Sequence, residues 1–303
     1  MTPVLVIAGP TASGKSRLAL DLAAARRGTV INADSMQVYR ELRILTARPG
    51  AAEMARAPHR LYGVLSAAEP CSAARWRVLA LAAIEEARSQ GRLPILVGGT
   101  GLYLRALFSG LAEIPPIPQE VREAARARQR HLGGEAFRAE LARRDPESAA
   151  RLAAGDTQRL VRAWEVVEAT GRTLPEWQRA GGAGTGAHVY RTILLMPPRD
   201  ALYAACDARF GAMVTAGALD EVRALLAFGL DPALPALKSL GVRELARHLA
   251  GEWTLEQAEE KARQATRNYA KRQTTWFRHQ LAPDLVLERP DSAAATRLLA
   301  PDC

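Results

Sequence analysis

The chain has 303 residues, 48% hydrophobic and 24% charged, a length that suits about two domains and a composition that excludes a disordered chain. Its 41 lysines and arginines outnumber 32 acids, for a net charge of +9, which points to an anionic partner such as nucleic acid or a phosphorylated metabolite. No run reaches the ~18 apolar residues of a membrane span. Three scattered cysteines, Cys71, Cys206 and Cys303, argue against a disulfide framework or a zinc knuckle, so the expected compartment is the cytoplasm.

Pro3–Ala8 is a continuous apolar run, as a strand buried on both faces requires. It leads directly into Gly9-Pro10-Thr11-Ala12-Ser13-Gly14-Lys15-Ser16, and a helical pattern continues from near Lys15 to Arg27. Strand, glycine-rich loop and helix in that order make the G-x-x-x-x-G-K-[ST] pattern a phosphate cradle. Loop amides and the helix N-terminus face phosphate oxygens. Lys15 adds a compact positive charge, and the Ser16 hydroxyl can ligate Mg²⁺. The pattern predicts a bound di- or triphosphate and does not say whose.

Thr29–Asn32 reads as a second short strand, reaching Asp34. Ser72–Ser89 is helical, with Trp76, Leu79, Ala83 and Ile84 on one face, and Leu93–Val97 is another unbroken apolar strand. A motor or GTPase would end such a strand in an acid for Mg²⁺. Here it ends in Gly98-Gly99-Thr100-Gly101, which leaves Asp34 as the acid at a strand end near the cradle. Asp34 is then a turn-former, an outer partner of the metal, or a base acting on an acceptor.

At Ile114-Pro115-Pro116-Ile117-Pro118 the pattern changes. Gln119 to about Gln178 is helical and rich in arginine, and Gly181–Gly186 is a glycine-rich loop. Val189–Met196 reads as a further strand, 200–230 and 237–281 as helices, and Leu285–Leu287 as a last strand. The expected architecture is α/β: a P-loop NTPase-like parallel sheet flanked by helices, residues 1–113 and 187–303, interrupted by an all-helical insertion, 114–186.

Four ordered segments carry a resemblance over nearly the whole chain. They are Gly9–Ser16, Ala33-Asp34-Ser35-Met36-Gln37-Val38-Tyr39, Val97-Gly98-Gly99-Thr100-Gly101-Leu102-Tyr103, and Thr266–Arg278 with Lys271-Arg272-Gln273-Thr274-Thr275-Trp276-Phe277 at its centre. Together they resemble the bacterial tRNA dimethylallyltransferase (tRNA isopentenyltransferase) family. That family transfers a dimethylallyl group from dimethylallyl diphosphate to N6 of adenosine 37 beside the tRNA anticodon. The resemblance implies a diphosphate held by Gly9, Pro10, Thr11, Ala12, Ser13, Gly14, Lys15, Ser16 and Arg209, with Mg²⁺ on Ser16. It implies Asp34 as general base and Thr100 between the substrates. It assigns tRNA contacts to Asp34, Ser35, Met36, Gln37, Thr100, Arg122, Gln158, Arg159, Leu160, Val161 and Arg162. It also implies a protein that works as a cytoplasmic monomer.

Alternatives stand beside these roles. Arg209 could instead pair with Asp207 or Asp200, and Thr100 could cap the following helix. Arg126 and Arg130 read better as a solvated helix face, and Trp276 and Phe277 read better as core than as base-stacking platforms. His59 and His279 lack metal-ligand spacing. A nucleoside or small-molecule kinase, a prenyltransferase acting on free AMP or ADP, and a non-catalytic RNA-binding module are the rival functions. The chain departs from the family pattern at Val242, where Tyr is usual, at Gly63, where Asp is frequent, and at Arg48, where Lys is usual.

Overall fold

The computed structural model describes residues 3–181 and 188–299; most of the glycine-rich loop and Cys303 lie outside them. In chain order the elements are β1 (Val4–Ala8), α1 (Lys15–Ala25), β2 (Gly28–Asn32), α2 (Ala51–Arg56), β3 (His59–Arg60), α3 (Ala73–Ser89), β4 (Leu93–Gly98) and α4 (Gly101–Ser109). Then come α5 (Gln119–Ala142), α6 (Pro146–Arg151), α7 (Thr157–Thr170), α8 (Leu174–Arg179), β5 (Tyr190–Leu195), α9 (Arg199–Thr215) and α10 (Ala218–Leu226). A 3₁₀ turn at Ala236–Lys238 precedes α11 (Val242–Leu249), α12 (Leu255–Gln280), β6 (Leu285–Leu287) and α13 (Ser292–Leu298). None of the described helices is long and apolar enough to cross a membrane.

All strand pairings are parallel, in the order β3-β2-β4-β1-β5-β6. This is the doubly flanked sheet that the unalternating apolar runs imply. Leu5 and Ile7, Ile95 and Val97, and Ile193 and Leu195 point to one face, where Leu18 and Leu22 of α1 and Ala295 of α13 complete a core. Trp76, Ala80 and Ile84 of α3 are buried, with α3 packed on β2 and β4. Leu79 is only half-buried. Ser72 caps α3 through a bond from Arg75 N at 3.1 Å.

The two-residue strand β3 and the short helices α2 and α13 are too brief to leave a periodic signature, and the sequence pattern did not predict them. The 200–230 stretch breaks at Gly217, left-handed at φ 99°, which ends α9 and starts α10. Gly241, φ 87°, similarly opens α11.

The chain forms two compact units, one ending at Ala106 and resuming at residue 186, the other spanning Leu107–Thr185. The second unit has its own core of Ala125, Phe137, Leu141, Leu160, Val161 and Trp164. Its longest helix, α5, is interrupted at Gly133, where φ 72° and ψ 175° are not helical. Asp145 and Thr173 cap α6 and α8.

Candidate active site

Parallel strands release their loops along one edge of the sheet, and ligands bind outside those carboxyl ends. Ala8 lies opposite Gly98, and Asn32 opposite Val97. The loops after β1, β2 and β4 therefore emerge side by side, carrying Lys15, Asp34 and Thr100.

The loop from Gly9 to Ser16 folds back on itself. Ser13 N donates to Pro10 O at 3.3 Å, and Lys15 Nζ donates to the same carbonyl at 2.9 Å. Burial pushes the Lys15 ammonium down to about 8; the Asp34 carboxylate opposes that shift and the Arg209 guanidinium adds to it. A buried ammonium so depressed is one whose charge a phosphate would restore. The Ser13 hydroxyl is buried with no hydrogen-bond partner among the described residues, an orphan that a phosphate oxygen would satisfy. Ser16 lies exposed in the first turn of α1.

Arg209, on α9, donates from Nη2 to the Thr11 hydroxyl. Burial pulls its guanidinium below the usual value, with Cys206 and Asp34 acting the other way. Asp207 is occupied elsewhere, accepting from Arg267 Nη1 at 2.8 and 2.7 Å. Arg209 is thus turned to the loop rather than to its neighbouring acid.

Asp34 is held by Asn32, which is fully buried. Asn32 Oδ1 accepts from Asp34 N at 2.8 Å, and Nδ2 donates to Asp34 O at 2.9 Å and to Leu61 O at 3.1 Å. Trp76 Nε1 fixes the Asn32 carbonyl from behind at 2.9 Å. Asp34 Oδ1 accepts from Met36 N at 2.9 Å, so the residue does form the local turn while its carboxylate keeps a second oxygen for other work. Ser35 N donates to Thr100 Oγ1 at 3.0 Å, and that hydroxyl donates to Ser35 Oγ at 3.3 Å. Thr100 caps α4 with its carbonyl, which accepts from Tyr103 N and Leu104 N. Its side chain instead ties the β4 loop to the Asp34 loop. Gln37 Nε2 is spent on Thr46 O and Ala47 O, at 2.7 and 3.0 Å.

The α12 segment contributes more than its sequence suggested. Phe277 is core, fully buried. Trp276 packs its indole against Gly101, where a Cβ would come within 2.4 Å of the ring. Burial, with the nearby Asp34 charge, raises the Tyr269 phenol well above the usual value. Gln273 bonds two of the loops at once. The signal that could have found these three is their i, i+4, i+7 spacing, which aligns one polar tip and two aromatic rings on a single face. Two departures from the family pattern also turn out to be neighbours. Arg48 Nη1 donates to Tyr39 O at 3.0 Å and fills the space that a Cβ at Gly63 would need.

In the helical unit, Gln158 and Arg159 are exposed at the start of α7. Arg159 approaches Asp156 at 3.7 Å in an open surface pair, and Arg162 approaches the buried Glu165 at 3.6 Å. Leu160 and Val161 are buried in that unit's core, so the contact implied for them would fall to their backbone and to the flanking polar side chains. Arg122 Nε is buried without a partner among the described residues. Arg126 and Arg130 are exposed, and Arg128 is paired with Glu140 at 3.0 Å. Among the described residues no three His, Cys, Asp or Glu gather to hold a metal.

A family model described as IPP transferase matches residues 37–280, and one described as isopentenyl transferase matches residues 2–68. The tRNA dimethylallyltransferase of Rhodospirillum centenum is 62% identical over 281 residues, which is 92% of this chain and 90% of the relative. That of Nitrobacter hamburgensis is 58% identical over 292 residues, 96% of this chain and 92% of the relative. Among solved structures, the tRNA isopentenylpyrophosphate transferase of Bacillus halodurans is similar with a TM-score of 0.70 at 32% identity, covering 99% of this chain and 97% of the other. A eukaryotic dimethylallyltransferase captured acting on tRNA gives a TM-score of 0.77 at 28% identity, covering 91% of this chain and 70% of the other.

Proposed function

The chain belongs to the IPP transferase family, and on that premise we propose that it transfers a dimethylallyl group from dimethylallyl diphosphate to tRNA, at N6 of adenosine 37 beside the anticodon. The observation that carries the reading is the convergence of Lys15, Arg209, Asp34 and Thr100 on one edge of the sheet. A cradle for a diphosphate there adjoins a carboxylate rather than a site for hydrolytic water.

The donor's diphosphate lies in the Gly9–Ser16 loop. As the C1–O bond breaks, negative charge grows on the diphosphate and positive charge on the allyl carbon. Lys15, Arg209 and the loop amides meet the growing negative charge. The N6 lone pair forms the new bond to C1, and the proton that N6 loses passes to the second oxygen of Asp34. Thr100, tied to Ser35, stands between the donor and acceptor loops and orients the base. The adenine must leave its stack to reach this edge.

The exposed Ser16 hydroxyl, with the donor's own phosphate oxygens, would hold a divalent cation, which we take to be Mg²⁺ and which would supply further charge neutralisation to the leaving diphosphate. We assign tRNA contacts to Asp34, Ser35, Met36, Gln37 and Thr100 on the sheet edge, and to Arg122, Gln158, Arg159 and Arg162 on the helical unit. A monomer is the expected working unit, and the cytoplasm is the expected compartment.

The test is mass spectrometry of nucleosides from tRNA incubated with the protein, dimethylallyl diphosphate and Mg²⁺. Dimethylallyladenosine at position 37 is the expected product. Unmodified tRNA, or phosphate transfer from ATP to a small molecule, would replace this reading with a binding module or a kinase.

A further inference from the structure

The reaction proposed above joins an atom held by one loop to an atom held by another, so its rate depends on how those loops are set against each other. β1 and β4 are neighbours with Ala8 opposite Gly98. Past that pair the ladder ends, and the Gly9–Ser16 loop and the Gly99–Gly101 segment need other ties.

Gln273 supplies one. It sits on α12 and is 5% exposed. Its Oε1 accepts from Thr11 N at 2.8 Å, in the diphosphate loop, and its Nε2 donates to Gly99 O at 2.8 Å, beside Thr100. The backbone is pressed against it. A Cβ on Gly99 would lie 2.3 Å from Gln273 Nε2 and 3.0 Å from Gly9 O. One turn later Trp276 abuts Gly101, so the 99–101 segment is moulded on this face of α12.

A buried amide costs free energy unless its polar atoms are satisfied. Its buried neighbours on the helix, Ala270 and Phe277, are apolar, and a Leu or Met would fill the same volume without that cost. What an apolar residue could not do is bond the two loops.

We propose that Gln273 is a positioning residue for the transfer step: it fixes the diphosphate loop relative to the Thr100 segment, and so sets the distance between C1 of the donor and N6 of the acceptor. The proposal rests on the dimethylallyl-transfer reading. The charges that bind the diphosphate and the surfaces that bind RNA are other residues, so affinity and rate separate when Gln273 is changed. A misplacement of ~1 Å costs on the order of 10²-fold in rate.

The experiment uses the full chain with tRNA, Mg²⁺ and dimethylallyl diphosphate. Gln273→Met keeps the volume and removes both bonds. Its single-turnover rate constant, which does not depend on the fraction of active protein, is expected to fall roughly 10–10²-fold. Dissociation constants for inorganic diphosphate and for tRNA, measured separately, are expected to move less than about threefold. Gln273→Leu, also of similar volume and unable to bond either loop, is expected to behave like the Met variant and carries the test should that variant not fold. Gly99→Ala, whose Cβ collides with the amide, should slow the wild type more than it slows Gln273→Ala.

A wild-type single-turnover rate in Gln273→Met overturns the proposal, as does a loss of diphosphate affinity equal to the loss of rate, or a Gly99→Ala effect identical in both backgrounds. Should the wild type transfer nothing, the functional reading itself falls, and this inference falls with it.

Discussion

The roles proposed for the residues Asp34 and Lys15 make separable predictions. Asn32 clamps both backbone polar groups of Asp34, so Asp34→Ala leaves the loop anchored and removes only the carboxylate and its bond to Met36 N. Prenylation should fall by roughly 10²–10⁴-fold, as expected for loss of a positioned base. Diphosphate and tRNA affinities should be largely spared. Turnover near that of wild type would remove Asp34 from the mechanism.

Lys15 predicts a pH dependence. Its folded value, about 8, lies below the ordinary 10.5, mainly through burial. The unfolded chain therefore binds more protons between those values. Stability from this group is fully present above 10.5 and is lost as pH falls through 8. In the proposed cradle, diphosphate binding runs the opposite way, because it would need the charged ammonium. Affinity for inorganic diphosphate, followed by calorimetry from pH 7 to pH 9.5, should hold up to about 8 and then weaken, with proton uptake on binding. Lys15→Ala should flatten that profile and weaken binding and chemistry together. A wild-type profile that is flat across the range would place the ammonium outside the cradle.

α5 and α7 present arginines of different kinds, although their sequences look alike. Arg128 is tied to Glu140 at 3.0 Å, whereas Arg159 meets Asp156 only at 3.7 Å, with its side chain 74% exposed. A loose surface pair contributes little to stability, so Arg159 is available to a phosphate while Arg128 is engaged. Arg159→Ala and Arg162→Ala should each weaken tRNA binding, and lower the slope of log affinity against log salt by about one for each phosphate left without its arginine. Arg128→Ala should leave both quantities near wild type. Filter binding across a salt series measures all three; equal effects at the three positions would make the unit a diffuse basic surface.

For the whole molecule, the separate core of the helical unit predicts separable functions. Replacing residues 119–178 by a short Gly/Ser linker removes that core, including Phe137, Leu160 and Trp164. The sheet, its cradle and the α12 face belong to the other unit. The shortened protein should still unfold cooperatively and bind inorganic diphosphate, while tRNA affinity drops steeply and loses much of its salt dependence. Normal tRNA modification by this protein would confine the RNA site to the sheet edge and α12.

The sequence by itself determined what short-range rules govern. Unbroken apolar runs required a sheet covered on both faces, and a glycine-rich loop between strand and helix carried the signature of a phosphate cradle. Ordered motifs indicated the chemistry around Asp34 and Thr100. Even the choice of core over stacking for Phe277 followed from its helical face. Tertiary structure decided everything that depends on which partner an atom meets. Arg209 chose Thr11 over Asp207 because Arg267, sixty residues on, already held that acid. Leu160 and Val161 turned inward because α7 must bury one face against α5. Gln273 looked like any polar residue on a helix until folding brought Thr11, 262 residues away in sequence, and Gly99, 174 residues away, to its two amide atoms. Periodicity can say which face of a helix is buried, but two hydrogen bonds that span the chain exist only after the sheet has set its strands in order.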